Sequence, residues 1–359
     1  MTLQHLLLKL GQKFLQQRAS LGAIRRFLAQ QDYPLAPPPD GRQTRLGVIQ
    51  LEGRLYTHAI DYVEHIYQLV RQAVQEGAQL IIFPEDTGSY PLAGLIPQIE
   101  RLTSSREAAP AQAVQEGKAP VLTLFRLLAP AARAIYQTTF STLARSFRVH
   151  ILAGSTIALE RDGRVFKEAH LYSPEGKPLL SQRKTHLFPT EAIWGLSAGS
   201  RIQVAHTPVG TLAAPICMDH TYFEPIRIAW LLGAEIIIDP AADAARYNFW
   251  LQSRGVWGRV QESPAYGVHA LMVGKILGVE FGGCSGVYAP LEMTPARDGI
   301  LAQAHSGDKE EILIAQVDLE ALRQYRHEHR PRFNLDLYRR YIPTIYLQVQ
   351  GRAGGRRKR

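Results

Sequence analysis

Two patterns of apolar positions divide the middle of the chain into strands and helices. Nearly continuous apolar runs of about four to eight residues are typical of buried strands. Apolar residues that recur every three or four positions are typical of helices that pack on one face. These patterns predict strands at 46–51, 79–83, 149–156, 202–206, 211–216, 234–239, 267–274, 286–289 and 311–317, and helices at 58–76, 131–147, 222–233 and 249–262.

A hairpin interrupts the alternation of strands and helices. Residues 164–172 and 178–187 form its two arms around the turn from Pro174 to Lys177. The alternation predicts an α/β fold, and the hairpin makes the sheet mixed rather than purely parallel. Between Tyr90 and Pro130 the chain is rich in Pro, Ala and Ser without a clear period, which predicts a long insertion or lid.

Basic extensions flank this body at both ends. Residues 3–28 place large apolar side chains mostly at helical spacing and interleave them with basic residues and no acid, which predicts amphipathic helices. The Pro-rich stretch 33–41 predicts a linker. We therefore divide the chain into an N-terminal extension with its linker (1–44), a body (45–320), and a basic C-terminal tail (321–359) that is helical at first and then irregular.

The net charge of +9 lies in the two ends of the chain. Residues 1–45 carry +5 and residues 321–359 carry +9, which leaves −5 for 46–320. Nucleic-acid-binding domains instead concentrate Lys and Arg on one face, so no nucleic acid partner is expected. Two cysteines cannot build a disulfide framework, and no run approaches the roughly 20 apolar residues of a membrane span. With Lys9 and Lys13 interrupting the early apolar residues, the sequence predicts no signal peptide and a cytoplasmic protein.

Three predicted strand ends each carry one reactive side chain. Glu85 follows the strand 79–83, Lys184 lies near the end of the hairpin, and Cys217 follows the strand 211–216 just ahead of a helix. The start of a helix favours a thiolate and an oxyanion. A carboxylate can take the proton of the thiol, and an ammonium group can stabilise the charge that forms on attack. The three residues together predict acyl transfer. Taken singly, Cys217 is more often a buried structural cysteine, Glu85 a solvated turn carboxylate and Lys184 an ordinary hairpin lysine.

The segments around these three residues resemble the signature blocks of the nitrilase superfamily of carbon–nitrogen hydrolases. Residues 83–85 resemble the first block, 183–187 the second, and 216–225 the third. In the third block, Glu224 and Pro225 stand in the reverse of the order usual in the family. The order and spacing of the blocks fit the family as well. The resemblance runs from about Leu46 to Leu319.

The resemblance implies a fold and a set of catalytic roles. The fold would be a four-layer α–β–β–α sandwich that uses no metal and no organic cofactor. Glu85 would be the general base, Lys184 would stabilise the tetrahedral intermediate, and Cys217 would be the nucleophile. Backbone N–H groups near Met218 would also contact the oxyanion. Glu191 is the expected second glutamate of the site, with a solvated loop acid as the alternative.

The resemblance also implies a reaction. A thiol hydrolase of this kind cleaves a non-peptide C–N bond through a thioester on Cys217, which converts an amide into a carboxylic acid and an amine or ammonia. The alternatives are a nitrilase, an N-carbamoyl hydrolase, acyl transfer to or from a membrane-borne amine, and a non-catalytic binding module. Met218 departs from the bulky residue that commonly follows the nitrilase cysteine, so amidase chemistry comes first. The expected substrate contacts, each with plain packing as its alternative, are Tyr90, Trp194, Met218, His220 and Tyr222.

The two ends of the chain have features that predict binding partners. Family members usually pair, so we expect a homodimer or a larger assembly, with folding back on the same chain as the alternative. The apolar tail side chains that support this are Leu335, Leu337, Tyr338, Tyr341, Ile342, Ile345 and Leu347. Residues 3–28 predict a peripheral contact with an anionic membrane surface, and packing on protein is the alternative. The expected substrate is a small amide-like molecule.

Overall fold

The computed structural model of the protein describes residues 19–89, 118–276, 278–330 and 332–354. Its strands are β1 Gln43–Glu52, β2 Leu80–Ile82, β3 His150–Leu159, β4 Val165–Tyr172, β5 Pro178–Arg183, β6 Ala205–Thr207, β7 Gly210–Ala213, β8 Ile236–Ala241, β9 Tyr266–Ile276, β10 Val279–Phe281, β11 Gly286–Tyr288, β12 Ile300–Gln303 and β13 Glu311–Asp318. Its α-helices are α1 Leu21–Ala29, α2 Ala59–Gln75, α3 Lys118–Phe147, α4 Pro189–Ile193, α5 Phe223–Leu231, α6 Phe249–Ser253, α7 Val256–Glu262, α8 Leu319–Glu328 and α9 Leu335–Gly354.

The strands form one mixed sheet in the order β5-β4-β3-β2-β1-β9-β8-β7-β6. In the first half, β1, β2 and β3 are parallel, and the β4–β5 hairpin and β13 add antiparallel strands. In the second half, β7, β8 and β9 are parallel, and β6 and β11 pair antiparallel to them. The halves join where the end of β1 pairs with β9, with Leu51 opposite Met272 and Glu52 opposite Val273.

Three apolar cores separate four layers. The central core packs the two half-sheets together, with Leu46 and Val48 of β1 in the same cluster as Ile236 and Val268. A second core packs α1, α2 and α3 on the first half, and a third packs α5 and α7 on the second half. Burial of one such Leu or Ile contributes about 1.5–3 kcal/mol. This arrangement confirms the predicted four-layer α–β–β–α sandwich.

Helix α1 belongs to the outer layer of the sandwich. The hydroxyl of Ser20 caps its N-terminus. Ile24 and Leu28 are each 1% exposed and lie in the core formed with α2 and α3. These two side chains are therefore not available to a membrane. Residues 3–18 lie outside the described part of the chain, and for them the predicted membrane contact stays a prediction.

Helix α3 is longer than the sequence pattern predicts. It begins at Lys118, whereas the prediction placed 118–130 in a Pro-rich insertion and began the helix at Ala131. Pro130 lies inside the helix, where proline removes one backbone hydrogen bond. Leu128, only 4% exposed, is buried beside it, so packing outweighs the local penalty. The rest of the predicted insertion, 90–117, lies outside the described residues.

Two further elements differ from the prediction. The predicted helix 249–262 is split into α6 and α7, with Gly255 at the start of the second helix. The tail, predicted to become irregular, instead contains helix α9 despite Pro343. The described residues from 323 to 354 form a compact unit by themselves, in which Ile342 is 52% exposed. Within the described ranges, no helix combines the length and the apolar character that crossing a membrane requires.

Candidate active site

Glu85 lies just after β2, in a turn that depends on a glycine of the next strand. The hydroxyl of Thr87 donates to the Pro84 carbonyl oxygen at 2.7 Å and closes the turn. Gly154 of β3 has φ 68°, and a Cβ at this position would lie 1.9 Å from the same carbonyl oxygen. Glycine therefore allows the two backbones to approach. The turn holds Glu85 in the interior, where it is 2% exposed.

Lys184 follows β5 directly and stands opposite Lys167 of β4. The hairpin register pairs Glu168 with Arg183, and the next N–H, that of Lys184, donates to the Lys167 carbonyl oxygen at 3.0 Å. Residues directly opposite on antiparallel strands project to the same face of the sheet. Both lysines are buried, with 1% and 8% of their surface exposed. The hairpin therefore brings two ammonium groups to one interior region.

Three carboxylates surround these ammonium groups. The Nζ of Lys184 lies 2.8 Å from Glu85 Oε1 and 3.0 Å from Glu191 Oε2. The Nζ of Lys167 lies 2.6 Å from Glu191 Oε1, 2.9 Å from Asp86 Oδ2 and 3.2 Å from Glu85 Oε1. We call these five residues the ion cluster. Buried charges are tolerated only when they are paired, and here every carboxylate contacts an ammonium group.

Glu191 is oriented by its own short helix. It lies in the first turn of α4, where its Oε2 accepts the Phe188 N–H at 2.8 Å, and it is 4% exposed. Burial alone would raise the pKa of Glu191, but the ammonium groups of Lys167 and Lys184 lower it to about 2. Burial and the charge of Glu85 raise the pKa of Asp86 in spite of Lys167. The solvated loop acid that was the alternative for Glu191 is therefore wrong.

Cys217 begins a 3-10 turn, Cys217–Thr221, that follows β7. Strand β7 ends at Ala213, earlier than predicted. The φ of Cys217 is 48°, a left-handed conformation that strains the backbone of a residue other than glycine by about 1–3 kcal/mol. Its N–H donates to Asp239 Oδ1 at 3.0 Å, which anchors the turn to the end of β8. Such strain persists only where the surroundings hold it, and it clusters at functional sites.

The thiol of Cys217 interacts electrostatically with the ion cluster. Burial raises the pKa of this thiol well above its usual value, and the negative charge of Glu85 adds to the effect while the Lys184 ammonium opposes it. The sequence predicted that a helix start next to Cys217 would stabilise the thiolate. Helix α5 begins only at Phe223, beyond the 3-10 turn, and burial outweighs this effect on the pKa. The raised pKa favours the neutral thiol over the thiolate.

Asp219 ties the cysteine turn to the loop that follows Lys184. It is fully buried, and its oxygens accept the His186 N–H at 2.6 Å, the Thr185 hydroxyl at 2.6 Å and the Ile216 N–H at 2.9 Å. Burial alone would raise the pKa of Asp219, but the hydrogen bonds from His186 and Thr185 lower it. Sequence analysis missed this residue. The available signal was an aspartate at the start of a turn, where such side chains accept backbone N–H groups.

Arg259 holds the other end of the cysteine turn. Its guanidinium group donates to the carbonyl oxygens of His220 and Thr221, each at 3.2 Å, and lies 3.9 Å from the ring centroid of Phe223. His220 is 1% exposed, and its Nε2 lies 3.0 Å from the Pro215 carbonyl oxygen. A side chain this buried packs in the interior rather than lining an open surface, so the expected substrate contact of His220 gains no support.

The other predicted substrate contacts have different surroundings. Tyr90 lies outside the described residues. Trp194 is 37% exposed, and Tyr222 is 40% exposed with its ring stacked on that of His186 at 4.3 Å between centroids. Met218 is half-buried. Trp194, Tyr222 and Met218 have surface that a substrate could contact, and this role stays a prediction.

Lys167 and Asp86 are the members of the ion cluster that sequence analysis missed. The signal for Lys167 was the predicted hairpin itself, because a turn at 174–177 places residue 167 opposite Lys184. Asp86 gave no signal beyond its position next to Glu85. Among the described residues, no group of His, Cys, Asp and Glu is arranged to hold a metal ion. An open surface cleft of about 430 Å³ shares no lining residue with the ion cluster.

Comparison with known proteins identifies the family of the chain. The carbon-nitrogen hydrolase family model matches residues 45–327. A probable hydrolase, YhcX, from Bacillus subtilis (strain 168) is 32% identical over 197 residues, which are 53% of this chain and 38% of that protein, so the chain spans less than half of it. A nitrilase from Pyrococcus abyssi (strain GE5 / Orsay) is 28% identical over 263 residues, covering 72% of this chain and 84% of that protein.

Solved structures share the sandwich fold. A carbon-nitrogen hydrolase from Helicobacter pylori G27 has a TM-score of 0.63 at 22% identity, covering 83% of this chain and 98% of that one. A mutant amidase from Nesterenkonia sp. AN1, with covalent addition of the acetamide moiety of fluoroacetamide at its active site cysteine, has a TM-score of 0.59 at 19% identity, covering 85% and 99%. The family match includes all three signature blocks and the whole ion cluster, and the chain belongs to the carbon–nitrogen hydrolase family.

Proposed function

We propose that this protein hydrolyses a small non-peptide amide through a thioester on Cys217. The observation that carries the proposal is the placement of Lys184. Its buried ammonium group is hydrogen-bonded to Glu85 and Glu191 and interacts electrostatically with the strained cysteine. Burial alone would lower the pKa of Lys184, but Cys217 in its ionised form and the negative charge of Glu85 raise it, so this group stays cationic throughout a reaction at neutral pH.

The first half-reaction joins the thiol and the carboxylate. Cys217 Sγ attacks the carbonyl carbon of the amide while Glu85 takes the thiol proton, as the raised pKa of the thiol requires. The negative charge that develops on the carbonyl oxygen is stabilised by the Lys184 ammonium and by the N–H of Met218. The C–N bond then breaks, Glu85 returns the proton to the departing nitrogen, and the acyl group remains on Cys217.

The second half-reaction releases the acid. Glu85 takes a proton from a water molecule as the water oxygen attacks the thioester carbon. The C–S bond breaks, the proton passes to sulfur, and a carboxylic acid leaves the restored thiol. Glu191 takes no proton in this scheme. Its bonds to Lys184 hold the ammonium group where the oxyanion forms in both halves of the reaction.

A nitrile is the second candidate substrate. The similarity to the nitrilase of Pyrococcus abyssi, which covers 72% of this chain, favours it. Attack of the same thiol on a nitrile carbon produces a thioimidate, which water converts into the same thioester with release of ammonia. The half-buried Met218 that follows the nucleophile keeps amide hydrolysis as the first proposal. N-carbamoyl hydrolysis and acyl transfer to an amine would use the same first step.

Intact-mass measurement tests the proposed function. The protein is incubated with a panel of small amides and nitriles and analysed for covalent adducts. We expect an acyl adduct on the wild-type protein and on Cys284→Ala, because Cys284 is buried and has no part in the proposed reaction. Cys217→Ala should form no adduct and should show no turnover. Turnover or an adduct in the folded Cys217→Ala protein would overturn the assignment of the nucleophile.

A further inference from the structure

The hairpin that positions Lys184 also positions Lys167, which the proposed reaction does not use. The side chain of Lys167 is only 10% exposed, and its Nζ contacts all three carboxylates of the ion cluster at 2.6 to 3.2 Å. Like charges directly opposite each other destabilise an antiparallel pair of strands. A second buried ammonium group beside Lys184 therefore destabilises the hairpin. Side chains that lower local stability in this way concentrate at functional sites.

We propose that Lys167 is a positioning residue that sets the charge of the site. Its positive charge offsets one of the three carboxylates that it contacts, so that Glu85 is available to take the proton of the Cys217 thiol. This inference rests on the proposed roles of Glu85 and Cys217. It assigns to Lys167 an effect on proton transfer rather than contact with the substrate.

The charge balance of the ion cluster supports this role. Two ammonium groups face three carboxylates, which leaves a formal charge of −1 when all five are ionised. Without Lys167 the three carboxylates would share the Lys184 ammonium, and the charge would be −2. Carboxylates that lose a cation and face one another bind a proton more strongly. The cluster would then take up a proton at higher pH, and a carboxyl group that holds a proton cannot act as a base.

Other charged groups also face Glu85 and must be separated from this effect. Burial and the charge of Glu85 raise the pKa of Asp243 to about 6, while Lys184 and Arg254 oppose the rise. Burial raises the pKa of Asp239 well above its usual value, and Asp243 and Glu85 add to the effect. Asp243 therefore titrates near the range of interest, and Asp243→Asn is the variant that identifies its contribution to any pH profile.

Charge-restoring variants test the proposal. Lys167→Met removes the ammonium group and takes the cluster from −1 to −2, and Asp86→Asn in the same protein returns it to −1. With a substrate found by adduct formation, we expect Lys167→Met to move the acid limb of kcat/KM up by about one to three pH units. The double variant should move the limb most of the way back. Lys167→Arg, which keeps the charge, should leave the limb near its wild-type position.

A merely structural role gives different results. If Lys167 only supports packing, the double variant loses a further contact and should be no better than Lys167→Met. A limb that does not move in Lys167→Met, or that Asp86→Asn does not move back, overturns the proposal. Circular dichroism and thermal melting confirm that each variant is folded before its profile is compared.

A second readout separates this proposal from the proposed function. Alkylation of Cys217 by iodoacetamide needs the thiol but no turnover, and a Cys284→Ala background restricts it to one site. We expect the midpoint of the alkylation profile to rise in Lys167→Met and to fall back in the double variant. Equal midpoints in all three proteins overturn the role of Lys167. A wild-type protein that alkylates but forms no acyl adduct overturns the proposed function alone.

Discussion

Replacement of Asp219 by Asn tests whether this residue holds the loop that follows Lys184 to the loop that leads into Cys217. Asp219 is fully buried and accepts N–H groups from both loops, those of Thr185 and His186 on one side and that of Ile216 on the other. The side chain of Asn has nearly the same shape but only one acceptor oxygen. Its NH₂ group must therefore face one of these donors, and the corresponding bond is lost.

The size of the effect follows from these contacts. A backbone N–H left unpaired in the interior, such as that of Ile216, costs about 1–3 kcal/mol. The bonds from Thr185 and His186 remain but lose the charge of their acceptor, which weakens each by roughly 1 kcal/mol. Because such contributions are not fully additive, we expect Asp219→Asn to reduce the free energy of unfolding by about 3–5 kcal/mol.

Urea denaturation at fixed protein concentration measures this change. The midpoint should fall while the slope m stays constant. Asp40→Asn is a matched control, because Asp40 also accepts two backbone N–H groups, from Arg42 and Gln43, but at the exposed surface. That variant should keep the wild-type midpoint. A loss of unfolding free energy smaller than about 1 kcal/mol in Asp219→Asn would show that the hydrogen bonds of Asp219 contribute little, because a loss of that size is within the effect of one ordinary hydrogen bond.

The pH dependence of the same experiment has a definite sign. The folded protein lowers the pKa of Asp219 below its ordinary value of 3.8. Its contribution to stability is therefore fully present above that value and is lost as the pH falls through the lower, folded pKa. The difference between the wild type and Asp219→Asn should be constant near neutral pH and should shrink only below about pH 4.

Three further predictions concern other parts of the structure. Gly154→Ala should lower the free energy of unfolding by more than about 2 kcal/mol, because the new Cβ overlaps a carbonyl oxygen; Gly233→Ala, also at positive φ but in open space, is the control and should lose less. Arg259→Lys should lower kcat by about tenfold or more with little change in KM, because lysine cannot reproduce the two carbonyl bonds that position the cysteine turn; an unchanged kcat contradicts this role. We also predict a homodimer or larger assembly that uses the exposed apolar side chains of α9, so Ile342→Asp should reduce the mass measured by light scattering at micromolar concentration, and a monomeric wild type would refute it.

Local patterns in the sequence were sufficient to predict an α/β fold with a mixed sheet and to single out three candidate reactive positions, whereas the four layers were predicted from the resemblance to the nitrilase superfamily. Glu85 follows β2 in one half of the sheet and Cys217 follows β7 in the other, and in the sequence each residue stands just after an apolar run that predicts a buried strand. The carboxylate at Glu191 was predicted from the resemblance and lies at hydrogen-bond distance from Lys184. In each case the information needed lies within a few residues of the functional group or in the family pattern.

The features that sequence analysis missed depend mostly on contacts between distant positions. The ammonium group of Lys167 donates to Asp86, 81 positions away, and Asp219 contacts Thr185, 34 positions away. Burial, rather than the nearby helix start, decides that the pKa of Cys217 shifts upward from its usual value. Pro130 predicted a break in α3 because its local penalty is visible in the sequence, whereas the packing that compensates for it is not.

The pairing of β1 with β13 has a consequence for the synthesis of the protein. Gln43 and Asp318 are partners in this pairing and lie 275 positions apart. At a synthesis rate of about 5–20 residues per second, β1 emerges roughly 15 to 55 s before the strand that covers its free edge. During that interval the apolar strand is open to pairing with other chains. Slower translation of the second half would lengthen this exposure, so the yield of soluble protein should depend on elongation rate and on chaperones that bind nascent chains.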